Sequence, residues 1–195
     1  MRLDVRFHRW LIIAALALSF SVSGSLVFAG PSEDSVAAFN RGDHVAAIRH
    51  IRPLAEKGEA AAQYKLGWLY FNGNGVAHDY EEALKWWRLA AAQNNASAQT
   101  SLGVAYSQGQ GVAQDYNEAV KWFRLGAIQN NSVAQSNLGL AYRTGQGVTQ
   151  DFQEALKWYR LAAEQGYAVA QANLGLMYME GTGALQDFNE GRALN

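Results

Sequence analysis

The chain has 195 residues, of which 49% are hydrophobic, and this composition excludes a wholly disordered protein. It contains no cysteine, which excludes disulfide frameworks, thiolate metal sites and cysteine nucleophiles. Its 16 basic and 17 acidic residues nearly balance, so a nucleic-acid binder held by charge is not expected.

Residues 1–29 have the pattern of a targeting signal. Three arginines precede the apolar segment Trp10–Phe20, and Val27 and Ala29 place small residues at positions −3 and −1 of a cleavage site. We therefore expect a signal peptide that is cleaved near Ala29 and a protein exported to the bacterial periplasm or secreted. The alternative is an uncleaved membrane anchor, because Trp10–Ala29 carries no charge and is about as long as a membrane-spanning helix.

Residues 30–58 are predicted to form an irregular helical cap before the regular part of the sequence. The two expected helices are Ser35–Arg41 and His44–Lys57. Asp43 matches Asp79, which lies 36 residues later, so the second of these helices already follows the pattern of the repeats.

A repeat of 36 residues fills the sequence from 59 to 195. The string A-Q-x-x-L-G-x-x-Y begins four times, at Ala62, Ala98, Ala134 and Ala170. A glycine pair, G-x-G, and the motif D-[YF]-x-E follow it at the same spacing. The sequence therefore predicts an all-α array of helix pairs with four repeats, the last of them truncated.

The first helix of each unit has one apolar face, formed in the first unit by Ala62, Leu66 and Tyr70 at helical spacing. Gly67 lies in the middle of this helix, where glycine costs about 1 kcal/mol relative to alanine. Because this cost recurs in every unit, we interpret the glycine as the close approach of a neighbouring backbone.

The second helix of each unit carries its own start and stop signals. Asp79 and Glu82 have the spacing of an N-cap and a capping box, an interpretation that we prefer to an acid–base pair because the carboxylates recur. Lys85 is expected to pair with Glu82, and Trp86 is expected to fill the seam with the adjoining unit. Glycine or asparagine, the residues that best tolerate a left-handed C′ position, follows each such helix, at Gly58, Asn94, Asn130 and Gly166.

The combined motifs resemble the Sel1-like repeat family, a relative of the tetratricopeptide repeats. They are carried by residues 61–91 (AAQYKLGWLYFNGNGVAHDYEEALKWWRLAA) and three successors, over about residues 59–190. The resemblance implies a right-handed α-solenoid of antiparallel helix pairs and a role as an adaptor for protein complexes. Some secreted bacterial members are rich in cysteine and bind β-lactams, but that activity is not expected here because the cysteines are missing.

Residues that change between units are the candidates for partner contact, because recurring residues build the scaffold. On the first helices most of them lie opposite the Leu66 face, towards the concave surface or the next unit. Beside them, Lys65, Ser101, Asn137 and Asn173 form a mostly polar row. The predicted partner-binding residues are Tyr64, Lys65, Trp68, Phe71, Thr100, Ser101, Val104, Asn137, Leu140, Arg143, Asn173, Leu176 and Met179. We hypothesise that the aromatic end contributes most to binding; the alternative is that Trp68 and Phe71 pack under the N-terminal helices.

The remaining residues give little sign of catalytic chemistry. His44, His50 and His78 lack metal-ligand spacing, and no S-x-x-K motif of a serine acyl-enzyme occurs. We expect no catalytic residue, cofactor or metal, and a non-enzymatic scaffold whose partner is a protein or peptide. Two alternatives stay open, a secreted hydrolase acting on β-lactams or cell-wall material and a glycan-binding module.

Overall fold

The fold is an array of helix pairs, in agreement with the predicted all-α repeat architecture. The computed structural model describes residues 33–182, and every secondary-structure element in that range is helical. The helices are α1 Glu33–Asn40, α2 His44–Glu56, α3 Ala60–Asn72, α4 Tyr80–Ala92, α5 Ala96–Gln108, α6 Tyr116–Ala127, α7 Ser132–Thr144, α8 Phe152–Glu164 and α9 Ala168–Glu180. The predicted signal peptide and the truncated end of the fourth repeat lie outside the described residues.

Three complete units follow the N-terminal pair α1–α2. They are α3–α4, α5–α6 and α7–α8, and α9 is the first helix of a fourth unit. Each second helix contacts the first helix of its own unit and that of the next unit. The N-terminal helices lie close to their predicted bounds, and α2 packs against α3 as the second helix of a regular unit would.

Aspartate caps start the second helices, as predicted, but the glutamate three residues later has another role. Asp79 Oδ1 accepts a hydrogen bond of 3.0 Å from the Glu82 backbone N–H. The Asp79 N–H donates to the Tyr70 carbonyl at 3.0 Å, so the capping residue also joins the two helices of its unit. The Glu82 carboxylate accepts from Lys85 Nζ and from Trp86 Nε1. The expected Glu–Lys pair is therefore confirmed, whereas the carboxylate of the expected capping box is directed at the indole.

Left-handed residues end the helical hairpins where the sequence predicts them. Asn94 and Asn130 have φ of 65° and 62°, and Gly58 and Gly166 have φ of 96° and 81°. An L-residue other than asparagine is strained in this conformation, which explains why only glycine and asparagine occupy the position.

The mid-helix glycine of each of the three complete units lies against an aromatic ring of its own unit, which corrects the expectation of a neighbouring backbone. A Cβ on Gly103 would stand 2.5 Å from the ring of Phe123, and a Cβ on Gly67 would stand 2.6 Å from the ring of Trp87. The Ala83 carbonyl is also close to Gly67, at 2.9 Å from such a Cβ. The glycine thus allows a large side chain of the second helix to pack across the first.

Tryptophans of the second helices fill the seams between units, as predicted. Trp86 is only 8% exposed and belongs to the core formed by α2 and α3, together with Ile51 and Leu66. Trp122 packs in the same way against the core of α4 and α5, and Trp158 packs against that of α6 and α7. The core is consequently a series of seams between neighbouring helices.

Buried glutamines connect consecutive units through a relay that the sequence analysis did not assign. Gln129 Nε2 donates to Gln99 Oε1 at 2.7 Å, and Gln99 Nε2 donates to the Ala91 carbonyl at 3.4 Å and to Asn94 Oδ1 at 3.2 Å. The Gln99 amide on α5 therefore bonds to the end of α4 in the preceding unit and to Gln129, which follows α6 of its own unit. The same relay recurs from Gln93 through Gln63 to Ala55, and from Gln165 through Gln135 to Ala127.

Replacement of Gly103 by alanine should destabilise the fold, because the new methyl group overlaps the buried Phe123 ring. We expect a loss of about 1–3 kcal/mol in the free energy of unfolding, measured by urea denaturation. Gly175 provides a matched control, since no described atom lies within 4 Å of a Cβ placed there. Gly175→Ala should raise stability by up to about 1 kcal/mol through helix propensity, and equal effects of the two substitutions would contradict the packing argument.

Candidate partner-binding surface

Four of the predicted partner-binding residues lie in the seams between units, and a fifth, Thr100, is buried. Tyr64 and Phe71 pack against the core between α4 and α5, Val104 packs against the core between α6 and α7, and Leu140 packs against the core between α8 and α9. Thr100 is buried and its hydroxyl donates to the Ala96 carbonyl at 2.7 Å. Of the two directions that the sequence left open, the four side chains in these seams therefore face the junction with the next unit.

Tyr64 also joins two first helices directly. Burial raises the pKa of its hydroxyl, and hydrogen bonding to the side chains of Ser101 and Ser97 partly offsets that rise. Both serines belong to α5 of the following unit. Ser101 therefore contributes to the seam as well as to the polar row in which the sequence placed it.

The aromatic end of the predicted surface divides into two different environments. Trp68 packs against the core of α2 and α3, and its ring centroid lies 5.4 Å from that of Phe39 on α1. This is the packing under the N-terminal helices that the sequence analysis kept as an alternative. Phe71 instead contacts Tyr80 and Trp87 of its own unit, with ring centroids 4.9 Å apart in both pairs. The binding role of this end stays a prediction.

The polar row keeps a partly exposed side chain in three successive units. Lys65, Ser101 and Asn137 are each intermediate in exposure, whereas Asn173 is only 5% exposed. Asn137 Nδ2 donates to the Val133 carbonyl of its own helix at 2.9 Å, so this amide does not hold two helices together. Burial lowers the pKa of Lys65 to about 8. The row therefore presents a cation, a hydroxyl and an amide at equivalent positions of α3, α5 and α7.

A polar cluster that occurs once surrounds Arg143 on α7. Arg143 Nη2 lies 3.6 Å from Glu180 Oε1 on α9, and the fully buried Tyr159 of α8 completes the cluster. The sequence analysis named Arg143 but neither of its neighbours. Tyr159 could have been found by the same comparison between units, because it replaces the Trp87 and Phe123 of the earlier units.

The two remaining predicted residues lie on α9. Leu176 is intermediate in exposure and Met179 is 78% exposed. Within residues 33–182 no three His, Cys, Asp or Glu side chains are grouped so that they could hold a metal ion. The described helices include none that is long and apolar enough to cross a bilayer.

Comparisons with known proteins agree on the repeat. The family model described as Sel1 repeat matches residues 60–95, 96–131, 132–167 and 168–194. A Sel1 repeat protein from Oxalobacter formigenes is 39% identical with a TM-score of 0.73, over 77% of this chain and 62% of that one. The protective antigen c5321 of uropathogenic Escherichia coli is 40% identical with a TM-score of 0.68, over 75% of this chain and 34% of that one.

The cysteine-rich protein B of Helicobacter pylori shares the fold at 20% identity, with a TM-score of 0.51, over 72% of this chain and 95% of that one. This chain spans less than two thirds of the length of the Oxalobacter and Escherichia proteins. No curated protein matches the sequence. Proteins built from Sel1 repeats generally mediate protein–protein interactions, and the family is typically a non-enzymatic scaffold.

Lys65 should be the lysine most readily acylated near pH 8. Its pKa of about 8 leaves about half of the amine neutral at that pH, whereas the Glu118 carboxylate raises the pKa of Lys121. Limited acetylation followed by mass spectrometry should modify Lys65 at least about tenfold faster than Lys121. Equal rates would show that Lys65 is fully solvated.

The same pKa fixes the sign of a pH effect on stability. The pKa of Lys65 is about 8 in the folded protein and about 10.4 in an unfolded chain, so between these values the unfolded state binds more protons. The contribution of Lys65 to stability therefore rises from about pH 8 to about pH 10, and a Lys65→Met variant should lack that rise.

Proposed function

The chain belongs to the Sel1 repeat family, and on that premise we propose that it is an exported, non-enzymatic adaptor that binds an extended segment of another protein along its first helices. One observation carries this proposal. The recurring residues are occupied with the scaffold, whereas the row of Lys65, Ser101 and Asn137 changes chemistry from unit to unit and keeps part of each side chain exposed.

The chemistry of this row suits an extended polypeptide. Backbone carbonyl and N–H groups recur regularly along an extended chain, and the lysine, serine and asparagine side chains can donate to the carbonyls or accept from the N–H groups. Because the seams hold the first helices in fixed positions, the protein loses little conformational entropy on binding. Two partly exposed apolar side chains add contact area, Trp68 on α3 at one end of the array and Leu176 on α9 at the other.

The export proposal rests on the N-terminal sequence pattern and has its own test. Expressed with its natural N-terminus in a bacterium, the chain should appear in the periplasmic fraction with an intact mass that begins at Gly30. Ala29→Arg removes the small residue at position −1 and should leave the precursor uncleaved. An uncleaved wild-type chain recovered from the membrane fraction would favour the anchor instead.

Site-specific crosslinking tests the adaptor proposal. A photo-crosslinking residue placed at Asn137 should capture a partner in the native compartment, and one placed at Lys121, which is on a second helix, serves as the matched control. We expect at least about tenfold more crosslinked product from position 137, because a contact worth about 1.4 kcal/mol changes occupancy by that factor. The double variant Lys65→Glu, Asn137→Arg should reduce capture of the same partner by a probe at Ser97. Equal yields from the two probes would reject the first helices as the binding surface.

A further inference from the structure

Two buried hydrogen-bond donors lie between the third and fourth units. Across residues 33–182, Nη1 of Arg143 and the hydroxyl of Tyr159 are inaccessible to solvent and have no partner in good hydrogen-bond geometry, although the two side chains lie close enough to interact with each other. An unpaired buried polar group costs about 1–3 kcal/mol, and roughly 90% or more of such groups in native proteins are paired. The phenol oxygen can accept from the guanidinium, but the phenol proton and the remaining Nη1 proton still require an acceptor.

These two residues are not needed for stacking. In the first unit the equivalent positions hold Phe71 and Trp87, whose ring centroids are 4.9 Å apart. In the second unit they hold Ser107 and Phe123. The third unit thus has a guanidinium and a phenol where the first unit has two aromatic rings in contact and the second unit has a small side chain and a ring. A polar pair that occurs once in a repeated scaffold indicates recognition of something outside it.

The charges of the cluster define what it can accept. Arg143 Nη2 lies 3.6 Å from Glu180 Oε1, and the Glu180 side chain is 43% exposed, so one edge of the guanidinium already faces an anion. Burial raises the pKa of Tyr159 even though the charge of Arg143 and a hydrogen bond with it oppose the rise, so the phenol stays protonated and can donate. The acceptor therefore faces one charged donor and one neutral donor.

A monoanion fits this arrangement better than a phosphate group. A phosphomonoester carries about −1.5 to −2 charges at pH 7 and would be repelled by Glu180. A carboxylate carries one charge, and its two oxygens can accept from the arginine and the tyrosine together. The Arg143 side chain is 17% exposed, so a ligand can reach the guanidinium from the surface, and the side chains must shift before the buried hydroxyl can donate to the same ligand.

We propose that Arg143 and Tyr159 form a carboxylate-binding site, which receives an acidic side chain or the carboxyl terminus of the bound segment. The site specifies which chemical group the bound segment presents, and this assignment rests on the proposed adaptor function. Arg143 follows Asn137 by six residues on α7, a rise of about 9 Å and about 120° around the helix axis, so a segment bound at Asn137 reaches Arg143 by passing around the helix. The preferred partner is thus a protein with an acidic residue or its own C-terminus at that place.

Acetate is the probe for this site, and the full-length protein with labelled tyrosine rings is the sample. At constant ionic strength, acetate should shift the Tyr159 ring resonances saturably. Tyr159→Phe and Arg143→Ser should each weaken acetate binding at least about tenfold, as expected for the loss of a charge-assisted or buried hydrogen bond. Both substitutions copy residues that the second unit already uses, so the fold should survive them, and circular dichroism checks this. A shift that does not saturate would overturn the proposal.

Two further arms test the charge and the source of the carboxylate. Glu180→Gln removes the competing anion and should tighten acetate binding several-fold. Acetamide, a neutral acceptor of the same size, should bind at least about tenfold more weakly than acetate, and equal binding would overturn the carboxylate assignment. A peptide with an internal glutamate and an amidated end, compared with one that has only a free carboxyl terminus, identifies which source the site prefers.

The outcome of the acetate titration is independent of the outcome of the crosslinking experiment. Acetate binding requires no partner protein, so saturable binding without crosslinks from Asn137 would reject the adaptor role but keep the carboxylate site. Crosslinks from Asn137 without acetate binding would keep the adaptor role and reject the site.

Discussion

A buried glutamine amide determines how each unit is placed on the one before it. The Gln99 side chain donates to the end of the preceding second helix and accepts from Gln129 of its own unit. A buried amide is costly unless its hydrogen bonds are made, so a stack that slips loses these bonds without compensation by water. The glutamine thus contributes to register, whereas the neighbouring tryptophan contributes buried apolar area. Gln171, the equivalent residue of the fourth unit, still donates to the Ala163 carbonyl, although it is exposed.

This arrangement separates the residues that hold the array together from those that are free to differ. The glycine–aromatic contact fixes the two helices of a unit, and the seam tryptophan and glutamine fix the next unit. In a solenoid each unit contacts only its neighbours, so a change at one seam leaves the others unaltered. The polar cluster of Arg143 and Tyr159 therefore occupies one seam while the first two keep apolar or small residues at the same positions. Recognition can be altered unit by unit on a scaffold of constant geometry.

The sequence was sufficient wherever the cause of a structure is local. Asp79 caps a helix through a backbone bond three residues away, and Asn94 ends one because it tolerates a positive φ. The sequence alone was not sufficient where contacts cross between helices. Helical periodicity placed Val104 opposite the core face, but it cannot tell which of two neighbouring helices that side meets. It also showed that something lies close to Gly67, and only the packed structure identifies this as the ring of Trp87.

The same limit explains why Tyr159 was missed although Arg143 was found. Tyr159 stands in a column of aromatic residues and reads as one more core ring, since only its hydroxyl distinguishes it from Phe123. Once the helices are packed, that hydroxyl lies in a place without solvent, beside a guanidinium. An aromatic pair such as Phe71 and Trp87 contributes about 0.5–1.5 kcal/mol beyond its buried area, a term that the second and third units both lack. Apolar packing does not require either the phenol hydroxyl or the guanidinium, and only the third unit has both. The presence of both features at one seam is the physical reason to assign that seam to ligand recognition.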